Sequence, residues 1–81
     1  MKKSVFIVSP GNSDQDVKWG IWVTNKRVST QDQAMEIYTN DRGEELTAYI
    51  GKGDKKCREK AMKLANRIAI NIGARKRIVV I

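Results

Sequence analysis

The sequence over residues 54–73 reads DKKCREKAMKLANRIAINIG. No proline or glycine interrupts residues 55–72, and the apolar side chains recur at the three- and four-residue spacing of one helix face. This apolar stripe consists of Cys57, Ala61, Leu64, Ala65, Ile68 and Ile72. Asp54 is suited to be the N-cap, because its carboxylate can accept from free N–H groups, and Gly73 is suited to end the helix. The stretch therefore predicts one long amphipathic helix over residues 54–72.

Five shorter stretches have the alternation or the β-branched and aromatic content of strands. They are residues 4–9 (SVFIVS), 18–24 (KWGIWVT), 34–39 (AMEIYT), 45–50 (ELTAYI) and 75–81 (RKRIVVI). The turn residues NDRG at 40–43 favour a hairpin between the third and fourth stretches. The prediction is an α+β fold in the order β-β-β-β-α-β. A four- or five-stranded, mostly antiparallel sheet would carry the helix on one face.

The length of 81 residues predicts a single small domain over residues 1–81 with a thin core. The longest apolar runs have four residues, whereas a membrane span needs about 20, so no membrane association is expected. One cysteine and no histidine exclude Cys/His zinc sites and histidine-based triads, and neither a metal nor another cofactor is expected. A lone cysteine also favours the reducing cytoplasm.

Charge is distributed unevenly along the chain, whose net charge is +7. Residues 1–50 carry six basic and seven acidic side chains, a net of −1. Residues 51–81 carry ten basic and two acidic side chains, a net of +8. Such an asymmetry indicates a localised basic surface and an anionic partner.

The helix concentrates this charge in one line, which we call the basic ridge. It consists of Lys56, Lys60, Lys63 and Arg67, spaced i, i+4, i+7 and i+11 beside the apolar stripe. Like charges at these neighbouring positions repel one another, so a helix shaped only by stability would have acids among them. Phosphate contact is one interpretation, with Arg75 and Arg77 assisting from beyond the helix. A solvated lysine-rich face is the other, because lysine is a good helix former.

The aromatic residues suggest a second surface. Alternation predicts that Trp22, Tyr38 and Tyr49 share the sheet face that a single helix leaves open. The side expected to face the helix holds Trp19, Ile21, Val23, Met35, Ile37, Leu46, Ala48 and Ile50. Exposed aromatic rings on a sheet can stack nucleic-acid bases, form a homodimer interface, or simply stabilise the sheet as cross-strand pairs. The sequence leaves these three readings open.

No catalytic constellation is found. The stretch GKGDKK at 51–56 lacks the spacing and the hydroxyl of a phosphate-binding loop. Cys57 has basic neighbours but falls on the apolar stripe, where a buried and inert thiol is expected. The acid pairs Asp14/Asp16 and Glu44/Glu45 have no apolar surroundings that would perturb them.

Short pieces of the chain resemble a bacterial and phage family known as domain of unknown function 2188. They are VSP at 8–10, WGIWV at 19–23, EKAMKLANRIA at 59–69 and IVVI at 78–81. The resemblance covers about half the chain in short pieces, and the chain departs from the family pattern by a long hairpin predicted at 35–50. The resemblance implies a compact sheet-plus-helix fold, and it supplies neither an activity nor site residues.

The leading hypothesis is a cytoplasmic, non-enzymatic protein that binds nucleic acid, DNA or RNA, through the basic ridge. Trp22, Tyr38 and Tyr49 would be secondary contacts that stack bases. The alternative is a protein-interaction module, either a phage-type inhibitor or a homodimer. That module would use the aromatic sheet face, or the basic ridge against an acidic protein.

Overall fold

The structure, a computed structural model, describes residues 2–9, 16–41, 44–52 and 55–81, without the side chains of 16–18, 41, 44–52 and 55. The fold class is α+β. The elements are β1 (Ser4–Val8), β2 (Asp16–Thr24), α1 (Gln31–Glu36) with a π-helical turn (Ile37–Asp41), β3 (Glu44–Lys52), α2 (Lys55–Ile72) and β4 (Val79–Val80). Within these residues, no helix has the length and apolar character needed to cross a membrane.

The sheet is mixed, with the strand order β3-β2-β1-β4. Its main body is the antiparallel set β1, β2 and β3, and the two-residue β4 lies parallel to β1. The β2–β3 register shifts by one residue between Ile21, which pairs with Thr47, and Trp22, which pairs with Glu45. β3 therefore has one residue more than β2 at this point, as in a β-bulge, so a uniform alternation cannot describe both halves of β3.

One face of the sheet packs against α2. Val5 and Ile7 of β1 and Trp19, Ile21 and Val23 of β2 form a buried cluster with Ala61, Ala65 and Ala69. The helix-facing side predicted for the three β2 residues is thus confirmed. Because the buried α2 residues are alanines spaced four apart, the helix backbone can lie close to the sheet, while Leu64 and Ile68 are half-buried at its flank.

The C-terminal end of α2 follows the predicted pattern at one residue and departs from it at another. Gly73 has φ +66°, its N–H donates to the Ile70 carbonyl, and the Ala74 N–H donates to the Ala69 carbonyl at 2.8 Å. These bonds form a Schellman motif, which confirms Gly73 as the residue that ends the helix. Ile72, predicted to be buried, is 43% exposed, because the buried stripe ends one turn earlier at Ala69. The predicted N-cap, Asp54, lies outside the described residues.

A second helical segment replaces a predicted strand. The strand expected at 34–39 is wrong, because α1 and the π-helical turn occupy residues 31–41. The hairpin expected at 40–43 is also wrong, since β3 pairs with β2; residues 42–43 themselves lie outside the description. The observed order is β-β-α-β-α-β, and the single helix of the prediction is wrong as well.

A capping box explains why α1 begins where it does. The Thr30 hydroxyl accepts from the Gln33 N–H at 3.2 Å, and the Gln33 side-chain oxygen accepts from the Thr30 N–H at 3.2 Å. Two N–H groups that the first helical turn leaves free are satisfied in this way. The buried side chains Ala34 and Ile37 are three residues apart, a helical spacing that the alternation of Met35 and Ile37 concealed.

The second helical segment covers the other face of the sheet. Ala34 and Ile37 pack with Phe6, Val28 and Val79 in a second buried cluster, against which Val8, Trp22 and Ile81 are half-buried. The Gln31 side-chain amide also donates to the Val80 carbonyl at 3.0 Å, which ties α1 to β4. The expectation that one sheet face stays open is therefore wrong, and Ile37 lies on the side opposite to the one predicted.

Candidate nucleic-acid interface

The basic ridge lies on the outer surface of α2. Lys56, Lys60, Lys63 and Arg67 are all exposed, whereas Ala61, Ala65 and Ala69 of the same helix are buried against the sheet. Lys56 and Arg67 are eleven positions apart along the helix, a length of about 17 Å at 1.5 Å per residue. The sequence spacing and the observed burial therefore agree on one continuous, solvent-facing line of four cations.

Three ridge side chains enclose a shallow groove. Lys60, Lys63 and Arg67, together with the half-buried Leu64, line a depression of about 130 Å³. In the described part of the chain, none of the side chains that line it is acidic. An anionic oxygen seated there would meet three cationic side chains over an apolar floor, where an ion pair is screened less than in open water.

The ridge lacks neutralising partners in the described part of the chain. There, no ion pair within 4 Å joins Lys56, Lys60, Lys63 or Arg67 to a carboxylate. Glu59, the acid nearest in sequence, is exposed. The positive potential of the four side chains is thus available to an outside anion.

The two arginines predicted to assist the ridge do not line its groove. The Arg75 backbone N–H donates to the Lys3 carbonyl at 2.8 Å, so this residue is fixed beside the start of β1. Its side chain is half-buried, and its Nε is buried without a hydrogen-bond partner. Arg77 is exposed.

Two lysines that the sequence reasoning did not single out lie near the C-terminal end of α2. Lys2 and Lys76 line a groove there together with Asn66 and Ile70 of the helix. The only signal for them was their membership in the basic runs at 2–3 and 75–77, which does not show that the fold brings the two runs together. Their proximity follows from the parallel course of residues 75–81 beside β1.

Trp22 and Tyr38 lie on the opposite side of the sheet from the ridge. Trp22 is half-buried, parallel to Phe6 with ring centroids 6.3 Å apart, and Tyr38 meets it edge-on at 5.3 Å. Tyr38 comes from the π-helical turn and is 36% exposed. The backbone of Tyr49 pairs with Trp19, and its side chain lies outside the description.

This arrangement separates the two predicted surfaces. Trp22 and Tyr38 pack against each other, as the sequence grouped them, on the sheet face that α1 covers. The ridge lies on α2, which packs on the other sheet face. One short stretch of nucleic acid cannot contact both without wrapping around the domain. Among the described residues no group of three or more Cys, Asp or Glu side chains could hold a metal ion, and Cys57 is half-buried.

Comparisons with protein-family models, with curated proteins and with solved structures find no match for this chain. The resemblance to domain of unknown function 2188 thus stays a prediction.

Proposed function

We propose that this chain is a small, non-enzymatic protein that binds nucleic acid by contacting backbone phosphates with the basic ridge. The observation that carries the proposal is that Lys56, Lys60, Lys63 and Arg67 are all exposed in one line along α2. Each phosphate that such a cation neutralises releases condensed counterions, and this release supplies affinity at moderate salt.

The chemistry of the ridge favours charge recognition over base recognition. Phosphate contacts fix position and carry no sequence information, whereas sequence is read by hydrogen bonds to base edges. The ridge consists of three lysines and one arginine. Asn66 is the one asparagine or glutamine in the sequence between Lys56 and Arg67. We therefore expect binding with little sequence preference.

Base stacking by Trp22 and Tyr38 is not part of the proposal. Trp22 would have to leave its contacts with Phe6 and Tyr38 to stack on a base. The same packing weakens the alternative of a protein-interaction module that uses the aromatic face, because that face is covered by α1.

The test is a titration of fluorescently labelled duplex and single-stranded oligonucleotides at a series of salt concentrations, followed by anisotropy. Four phosphate contacts predict a log–log slope of affinity against salt near −3.6 for duplex, at about −0.9 per phosphate. The corresponding slope for single strands is about −2.8, at about −0.7 per phosphate. Oligonucleotides of unrelated sequence should give the same affinity within about threefold.

A charge-matched pair of variants locates the site. Lys60→Glu/Lys63→Glu removes two ridge cations, and the duplex slope should become shallower by about 1.8 while the affinity falls steeply. Lys3→Glu/Arg27→Glu changes the net charge equally at two exposed residues that are not part of α2 and do not line the groove of the ridge, so this variant should keep the wild-type slope. Wild-type affinity in the ridge variant, or an equal loss in both variants, would refute the ridge as the site. Circular dichroism melting establishes that both variants fold.

A further inference from the structure

An exposed apolar side chain at the C-terminal end of α2 lines a groove. Ile70 is 80% exposed, although it lies in the last turn of a helix that is buried along one face. The groove it lines has a volume of about 570 Å³, and Ala69 and Ala74 contribute further apolar surface. This volume lies within the range of sites that hold small ligands or peptide side chains.

Charge surrounds this apolar surface. Lys2, from the N-terminal segment, and Lys76, from the segment after α2, both line the groove, and its other polar lining side chain is Asn66. Among the side chains that the structure describes, no acidic one lines the groove. An occupant that complements the groove therefore needs negative charge for the two lysines and an apolar group for Ile70.

We propose that this groove binds an acidic peptide segment of a partner protein, with one large apolar side chain of that segment seated against Ile70. Apolar contact with a charged rim is the usual anatomy of a protein interface, in which a buried anchor supplies affinity and the charges supply orientation. This inference goes beyond the proposed function, because Lys60 and Lys63 do not line the groove.

Other partners complement the charge and the apolar surface of the groove less well. A second copy of this chain, with net charge +7, would bring the same two lysines into mutual repulsion. A nucleic acid would pair with the lysines but would leave the isoleucine without an apolar partner. An anionic membrane would meet both features, but a concave site between two chain segments fits a peptide better than a flat surface.

The experiment is a selection of random dodecapeptides on phage against the full chain, counter-selected against the Ile70→Ser variant. We expect the enriched peptides to combine acidic residues with a large aliphatic or aromatic residue. A synthetic copy of the most enriched peptide, added to ¹⁵N-labelled protein, should shift the amide resonances of residues 66–76.

Two matched controls locate the contact. Ile70→Ser should weaken binding of the synthetic peptide at least tenfold, about 1.4 kcal/mol, whereas Ile72→Ser should change it less than twofold. Ile72 is also exposed in the last turn of α2 but does not line the groove. Lys76→Glu should likewise weaken binding more than Arg77→Glu, which alters an exposed neighbour outside the groove.

Several results would overturn this proposal. Enrichment no greater on the full chain than on Ile70→Ser, enriched peptides without acidic residues, or equal losses in the paired variants would each do so. Concentration-dependent self-association that moves the same amides would assign the groove to a second copy. Shifts at residues 66–76 caused by phosphatidylglycerol vesicles or by a DNA duplex, with none from peptides, would assign it to a membrane or to nucleic acid.

Discussion

The ring of Tyr38 meets the ring of Trp22 edge-on, with centroids 5.3 Å apart and planes inclined by 82°. Trp22 in turn lies parallel to Phe6, so the three rings connect β1, β2 and the π-helical turn on the face that α1 covers. Edge-to-face pairs are favourable because the positive rim of one ring meets the negative face of the other. These aromatic side chains therefore have a packing role, which was one of the three readings that the sequence left open.

Tyr38→Ala should lower the free energy of unfolding by about 1–2 kcal/mol. The edge-to-face contact accounts for about 0.5–1.5 kcal/mol, and lost apolar burial adds to it. Urea unfolding measures the change. Met35→Ala, at a residue of the same helical segment that is 48% exposed, should stay within about 0.5 kcal/mol of the wild type. A Tyr38→Ala protein with unchanged stability and weakened oligonucleotide binding would contradict this assignment and restore the stacking role.

Ser4→Ala should destabilise the domain by about 1–3 kcal/mol. The Ser4 hydroxyl is fully buried and accepts a hydrogen bond from the Val28 N–H at 3.1 Å. Without it, a buried backbone donor loses its partner and its desolvation is uncompensated.

The matched control for Ser4→Ala is Thr24→Val. It removes a hydroxyl that accepts from the Lys26 N–H at 3.1 Å in an exposed place, where water can replace it. We expect Thr24→Val to lower the free energy of unfolding by less than about 0.5 kcal/mol. Equal losses of unfolding free energy in the two variants, measured by urea unfolding, would show that burial does not determine how much the Ser4 hydrogen bond stabilises the domain.

Physical reasons explain which parts of the fold the sequence predicted. The limits of α2 were predictable because a long apolar stripe and a terminal glycine are local signals, and the left-handed Gly73 follows from them. The interpretation of residues 34–39 failed because Met35 and Ile37 alternate over a stretch too short to distinguish a strand from a helix. The sequence does contain a signal that favours a helix here, because Thr30 and Gln33 have the spacing of a capping box.

The candidate site was predictable only where one element carries it. The basic ridge depends on helical spacing within α2 alone, so its exposure could be derived from the sequence. The aromatic face depended on the number of helices, and α1, which was not predicted, covers the sheet face that was expected to stay open and packs near the half-buried Trp22. The groove at Ile70 joins Lys2 to Lys76, and a pairing of chain segments so distant in sequence has no local signal.

Gln33→Ala should destabilise the domain by about 1 kcal/mol, because the Gln33 side-chain oxygen accepts from the backbone N–H groups of Ser29 and Thr30 and from the Ser29 hydroxyl. Gln33→Glu keeps an acceptor at the same position of the capping box and should retain most of the stability. Thermal unfolding compares the two, and about 1 kcal/mol corresponds to roughly 4–8 °C in Tm for a domain of this size. Equal losses in both variants would show that the acceptor is not what stabilises α1.

Gly73→Ala should lower the free energy of unfolding by about 1–2 kcal/mol. Gly73 has φ +66°, a left-handed conformation that costs an L-residue with a Cβ atom about this much. A Cβ atom added here would meet nothing within 4 Å, so the cost is one of backbone conformation alone. Gly73→Asn should cost less, because asparagine tolerates the left-handed region better than alanine. Urea unfolding measures both, and an alanine variant as stable as the wild type, or an asparagine variant less stable than the alanine one, would contradict the conformational explanation.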